Sequence, residues 1–169
     1  MSLANSIPAP FDRFQGAVLP EWIDYNGHMN LAYYTVLFDQ ATDLLFDVLG
    51  LGLDYRQTTQ LGTFVAETHN RYEHELLVGA QVRVATQILG ADEKRLHLGH
   101  EMFALDGGPN GGKRAATQEL MFLHVDLVAR RVTPFPEDLR QRVAAAATAH
   151  ATLPRPDWAG RRIAMPLRT

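Results

Sequence analysis

The clearest pattern in the chain is apolar spacing at three and four residues from Tyr33 onward. Tyr33, Leu37, Ala41, Leu44 and Val48 fall on one helical stripe, and Phe38, Leu45 and Leu49 widen it. Asn30 has the short acceptor side chain of a helix N-cap, and Gly50 and Gly52 supply the stop. The spacing predicts a helix of about five turns. So broad an apolar face must lie against something flat and large, most simply a sheet.

Beyond that helix the period shortens to two. Gly62 to Glu75 is rich in β-formers and predicts a strand, with Val65, Glu67, His69 and Arg71 on one face and Phe64, Ala66 and Tyr72 on the other. Val82, Val84, Thr86 and Ile88 alternate with polar or small residues. After a turn at Gly90–Lys94, Leu96, Leu98, His100 and Met102 alternate again. A longer turn is predicted at Asp106–Gly112, a third strand of this meander at Ala115–Asp126, and a terminal helix at Glu137–Ala149 after Pro134 and Pro136. Ahead of the long helix, residues 1–12 read as a loose lead-in, and Phe14–Leu19 as a short strand closed by Pro20. One long helix and an antiparallel meander make an α+β fold. The expected organisation is a lead-in over 1–12, a domain over 13–135, and a helix and tail over 136–169.

Composition narrows the function classes. A length of 169 residues fits one domain with its own core. The absence of cysteine removes disulfides, thiolate catalysis and Cys-ligated zinc. A formal charge of −3 supplies no global basic field for nucleic acid. The N-terminal residues have no signal-peptide pattern and no apolar run is long enough to span a bilayer, so a cytoplasmic location is expected.

Chemistry concentrates in Asp24-Tyr25-Asn26-Gly27-His28-Met29-Asn30, just before the long helix. A carboxylate, a conformationally free glycine and a helix N-terminus are what attack on a carbonyl requires: a nucleophile or base, and backbone N–H groups for an oxyanion. Each residue also has a plainer reading: an Asx turn for Asp24, a cap for Asn30 and a loop-orienting hydrogen bond for His28. Glu67 interrupts an apolar run, where a carboxylate is costly unless paired or used. It either faces the site or pairs with His69 or Arg71. The histidines form no complete metal set: His97 and His100 face opposite ways on one strand, and Glu67 with His69, or His124 with Asp126, is incomplete.

The heptad, together with Val65-Ala66-Glu67-Thr68-His69-Asn70-Arg71-Tyr72, Gly90-Ala91-Asp92-Glu93-Lys94-Arg95-Leu96-His97-Leu98 and Met121-Phe122-Leu123-His124-Val125-Asp126, resembles the hotdog-fold acyl-CoA thioesterases. The 4-hydroxybenzoyl-CoA thioesterase-like group carries D-x-x-G-H-x-N in this loop, and the combined motifs are closest to betainyl-CoA thioesterases. The resemblance covers residues 12–135. It implies a long helix wrapped by a curved antiparallel sheet, hydrolysis of a short acyl-CoA, and no cofactor beyond the CoA of the substrate. It assigns Asp24 as nucleophile or general base, with Asn30 and Leu31 at the oxyanion, Gly27 at the close approach, and His28 and Glu67 in support. Tyr25 and Tyr33, with Trp22 and Tyr34, are candidate walls for a trimethylammonium group. Lys94, Arg95, Lys113, Arg114, Arg130 and Arg131 are candidates for CoA phosphates. A homodimer or dimer-based tetramer is implied, and an unpaired sheet edge gives a physical reason for it. Two other functions compete. Hotdog hydratases use a loop of the form D-x-N-P-x-H, whereas here Gly27 takes the proline position and Met29 the histidine position. Acyl-CoA-binding regulators carry a DNA-binding extension that neither end of this chain resembles.

Overall fold

The computed structural model describes residues 7–105 and 108–165. The elements run β1 (Phe11–Ala17), α1 (Leu31–Leu49), α2 (Leu53–Thr59), β2 (Leu61–Tyr72), β3 (Gln81–Ala91), β4 (Arg95–Ala104), β5 (Arg114–Asp126), β6 (Arg131–Val132) and α3 (Glu137–His150). A single 3-10 turn, Pro20–Trp22, precedes the site loop. The strands form one antiparallel sheet in the order β1-β3-β4-β5-β2, with β6 added to β5. β1 and β2 are therefore its edges.

α1 begins and ends where its caps dictate. The Asn30 side chain accepts from the Ala32 amide at 3.0 Å, and Gly50 closes the helix in the left-handed region with φ of 80°. The buried stripe is Tyr34, Leu37, Phe38, Ala41, Thr42, Leu45, Phe46 and Leu49. It sits slightly round the helix from the expected one, leaving Leu44 and Val48 39% and 38% exposed. The N-terminal half of α1 packs with Phe14, Val82, Val84 and Met102, and its C-terminal half with Ile88, Leu96, Leu98 and the α3 residues Leu139 and Val143. Each such buried side chain contributes about 1.5–3 kcal/mol.

Two expectations about strands are corrected. β1 covers Phe11–Ala17 rather than Phe14–Leu19, because Phe11 already pairs with Thr86 across a bulge and the 3-10 turn takes the chain away after Leu19. In β2, a bulge at Ala66 leaves Val65 opposite Phe122 and Glu67 opposite Met121. Directly opposed residues share a face. Val65 is therefore on the helix side with Phe122, and Glu67, His69 and Arg71 lie on the outer side. The Gly90–Lys94 turn forms as expected: the Asp92 carboxylate accepts from the amides of Lys94 at 2.9 Å and Arg95 at 2.8 Å. The predicted Asp106–Gly112 turn includes residues 106 and 107, which lie outside the described ones, as do 1–6 of the lead-in. No helix among the described residues is long and apolar enough to cross a membrane.

Candidate active site

The loop before α1 is a tight turn. Asp24 Oδ1 accepts from the Asn26 amide at 2.8 Å, the Gly27 amide donates to Asp24 O at 3.0 Å, and the Asp24 amide to His28 O at 3.0 Å. Gly27 has a φ of 81°, and a Cβ there would meet nothing within 4 Å. Within the chain it is the positive φ that calls for glycine here. The Met29 amide donates to Leu76 O at 2.8 Å and the Asn30 amide to Trp22 O at 2.9 Å, which pin the loop between the chain leaving β2 and the 3-10 turn.

This pinning creates a cleft of about 310 Å³, lined by Asp24, His28, Met29 and Leu31 from the loop and helix start, Tyr34 from α1, and Tyr72 to Glu75 from the end of β2. His28 Nε2 lies 3.8 Å from Glu75 Oε1. Glu73 is gripped by Arg114, whose Nε and NH2 donate to its two oxygens at 3.0 and 3.1 Å. Tyr34 donates to His74 O at 3.4 Å, and its ring meets Tyr72 edge-on at 5.2 Å. Burial, reinforced by the nearby Glu75 carboxylate, pushes the Tyr34 phenol up to about 12, so it stays protonated at neutral pH. Three carboxylates thus share one cleft, and of these Glu73 is held by two guanidinium groups, Arg114 and Arg71.

Asp24, His28 and Leu31 come together as expected. Asn30 is a cap whose own amide is already used by Trp22 O, so at the helix start the Leu31 amide is the remaining candidate of the two. Tyr25 projects outward, 97% exposed, and does not line the cleft. Tyr33 stacks on Trp22 with ring centroids 5.1 Å apart, beside the cleft and not in it. Glu67 is exposed on the outer side of β2, and within one chain it lines no surface with Asp24. Neither expected pairing of Glu67 occurs among the described residues, and Arg71 turns to Glu73 at 3.5 Å. Sequence reasoning missed Tyr72, Glu73, His74 and Glu75. The alternation of acid and histidine directly after a strand was the available signal.

Of the proposed phosphate ligands, Arg95 is tied to Asp92 at 2.6 Å, Lys94 to Glu93 at 3.6 Å and Arg114 to Glu73 and Glu101. Among the described residues no three His, Asp or Glu side chains gather in a way that could hold a metal ion.

Residues 18–143 match the model of the thioesterase-like superfamily, and the chain belongs to that family. It is 42% identical over 153 residues to a betainyl-CoA thioesterase of Pseudomonas aeruginosa, covering 90% of this chain and 94% of that one. It is 39% identical to an L-carnitine dehydrogenase/betainyl-CoA thioesterase of Ruegeria pomeroyi, where the match takes in 89% of this chain but 29% of the longer relative. Among solved structures, SAV2348 of Staphylococcus aureus, described in complex with CoA, superposes with a TM-score of 0.83 at 29% identity, over 94% of this chain and 98% of that one. A Pseudomonas putida protein described as a thioesterase superposes at 0.76 with 33% identity, over 94% and 99%. The curved antiparallel sheet around one long helix is the hotdog fold, and the protein is an enzyme of the thioester hydrolase class.

Proposed function

We propose that the cleft at the start of α1 hydrolyses an acyl-CoA thioester whose short acyl group carries a cationic head, betainyl-CoA foremost. The observation that carries this reading is the turn that brings Asp24, the first residue of α1 and the Glu73–Glu75 wall into one cleft. A carboxylate beside a helix N-terminus fits attack on a thioester carbonyl. Either Asp24 attacks, giving a mixed anhydride that water opens, or it takes a proton from the attacking water. In both routes water oxygen ends in the acid–carboxylate products, the C–S bond breaks, and CoA leaves as the thiolate to be protonated. The Leu31 amide, at the positive end of the α1 dipole, is the proposed oxyanion donor.

The charge of the cleft supports the choice of acyl group. With Glu73 held by Arg114 and Arg71, the carboxylates of Asp24 and Glu75 keep the cleft surface acidic. Such a surface attracts a quaternary ammonium and repels an acidic acyl chain. Tyr72, 45% exposed at the cleft wall, offers an aromatic ring for the same cation. The relation to a betainyl-CoA thioesterase supports the same substrate.

The proposed working unit is a homodimer. The outer edge of β2 carries Phe64 and Val65, 57% and 45% exposed, and Leu31 stands near the site at 62%. An open apolar edge strand is a pairing surface, and a second copy joined along β2 brings Glu67 to the junction of the two chains. The test is thiol release from betainyl-, butyryl- and benzoyl-CoA. The expected order of kcat/KM places betainyl-CoA first. A preference for benzoyl-CoA contradicts the cationic-head reading, and water addition to crotonyl-CoA without thiol release contradicts the hydrolase chemistry itself.

A further inference from the structure

After α3 the chain crosses to the outer face of the sheet, beyond residues 18–143 that match the family. Residues 153–158 run over β3 and β4 and enclose a second cleft of about 410 Å³ whose floor includes Gly99, Glu101 and Arg114. The anchor is Trp158, 2% exposed. Its indole lies so close to Gly99 that a Cβ there would sit 2.7 Å from the ring. Position 99 therefore admits only glycine while Trp158 is docked.

The indole does more than pack. Trp158 Nε1–H donates to Glu101 Oε1 at 3.1 Å, and the same oxygen accepts from Arg114 NH1 at 2.5 Å. The other arms of that guanidinium hold both oxygens of Glu73. The Arg114 backbone is tied to the same place: its carbonyl accepts from His74 Nδ1–H at 2.9 Å, and the amides of Glu73 and His74 both donate to Ala115 O. Glu73 and His74 are walls of the candidate active site. An unbroken run of charge-assisted hydrogen bonds thus joins the tail on the outer face to the cleft that contains Asp24.

We propose that Arg114 is a positioning residue for the Glu73–Glu75 wall, and that the tail sets it from behind through Trp158 and Glu101. The proposal rests on reading the Asp24 cleft as the active site. Arg114 is shared between two carboxylates, so what holds Glu101 governs where the fork rests on Glu73. Removing the indole N–H frees Glu101 to turn and lets the guanidinium shift, moving the wall against which the acyl group lies.

Two substitutions separate this from plain packing. Trp158→Phe keeps an aromatic ring over Gly99 and loses the N–H donor, while Arg114→Lys keeps a cation and loses the fork. The expected results with betainyl-CoA are a KM raised about three-fold in Trp158→Phe and about ten-fold in Arg114→Lys, with kcat close to wild type. In the double variant the two effects combine to less than their product. The His74 imidazole resonance, recorded in the whole protein without substrate, shifts in Trp158→Phe, which a local packing role does not produce. A wild-type KM in Trp158→Phe, or an unmoved His74 resonance, overturns the proposal. If the unsubstituted protein releases no thiol from any acyl-CoA, the thioesterase reading of the cleft has failed, and the His74 resonance alone decides the coupling. If Arg114→Lys does not fold, Trp158→Phe carries both readouts.

Discussion

At the scale of single residues, Asp24 holds two roles at once. Its Oδ1 closes an Asx turn on Asn26, which aims the side chain at the cleft, and its carboxylate is the proposed reacting group. Asp24→Asn keeps an oxygen acceptor for the turn and removes the reactive carboxylate. The variant is expected to melt within a few degrees of wild type and to lose about 10²–10⁴-fold in kcat. His100 is the contrasting case, a fully buried histidine with no part in the site. The Thr42 hydroxyl donates to Phe38 O at 3.0 Å and so accepts from His100 Nε2–H at 2.9 Å, which leaves Nδ1 to accept from Thr86 Oγ1–H at 2.8 Å. Burial pulls this imidazole down from 6.5 to about 3. The unfolded chain therefore takes up a proton near pH 6.5 while the folded chain resists it until about pH 3. Stability is full above 6.5 and falls as pH drops through that window, by on the order of a few kcal/mol. His124 and His150, also lowered by burial, add to the same slope. Melting curves from pH 7 to 4 should show a falling Tm, with a shallower slope in His100→Gln; equal slopes in both proteins contradict this assignment.

At the scale of elements, what was legible in the chain was what local chemistry decides. Asn30 and Gly50 mark α1 to the residue because a cap and a left-handed stop are properties of those side chains. Asn30→Ala is expected to cost about 1 kcal/mol in denaturant unfolding, and no measurable loss would remove the cap from the account. The alternating strands β3, β4 and β5 were equally readable, because each has one face in the core. The seven residues of α2 were not: they bury no side chain fully, and Tyr55, which reaches His124 Nε2 at 2.9 Å, has no periodic partner to reveal it. The bulge at Ala66 was invisible because one extra residue leaves composition unchanged while turning every later side chain over. That single feature separates Val65 from Glu67, His69 and Arg71, with which it was expected to share a face. The Glu73–Glu75 wall escaped notice for a different reason. It is brought to Asp24 by backbone bonds such as Met29 N to Leu76 O, across nearly fifty positions of sequence.

At the scale of the whole molecule, the sheet ends in an open β2 edge beside a cleft that solvent reaches freely. Dimerisation along that edge is the proposed completion of the site, and it makes activity depend on assembly. Val65→Lys places a charge on the edge without touching Asp24. It is expected to shift the protein from dimer to monomer in light scattering and to lower kcat/KM by at least about ten-fold; a fully active monomer contradicts the dimeric site. The acidic cleft, the helix start and the tail-braced wall all converge on one claim, that Asp24 drives hydrolysis of a cationic acyl-CoA. The most direct measurement is the rate of free-thiol release from betainyl-CoA by the wild-type protein and by Asp24→Asn at equal folded concentration. The account predicts rapid release by the wild type and a loss of at least about 10²-fold in the variant. Equal rates in the two proteins would contradict it.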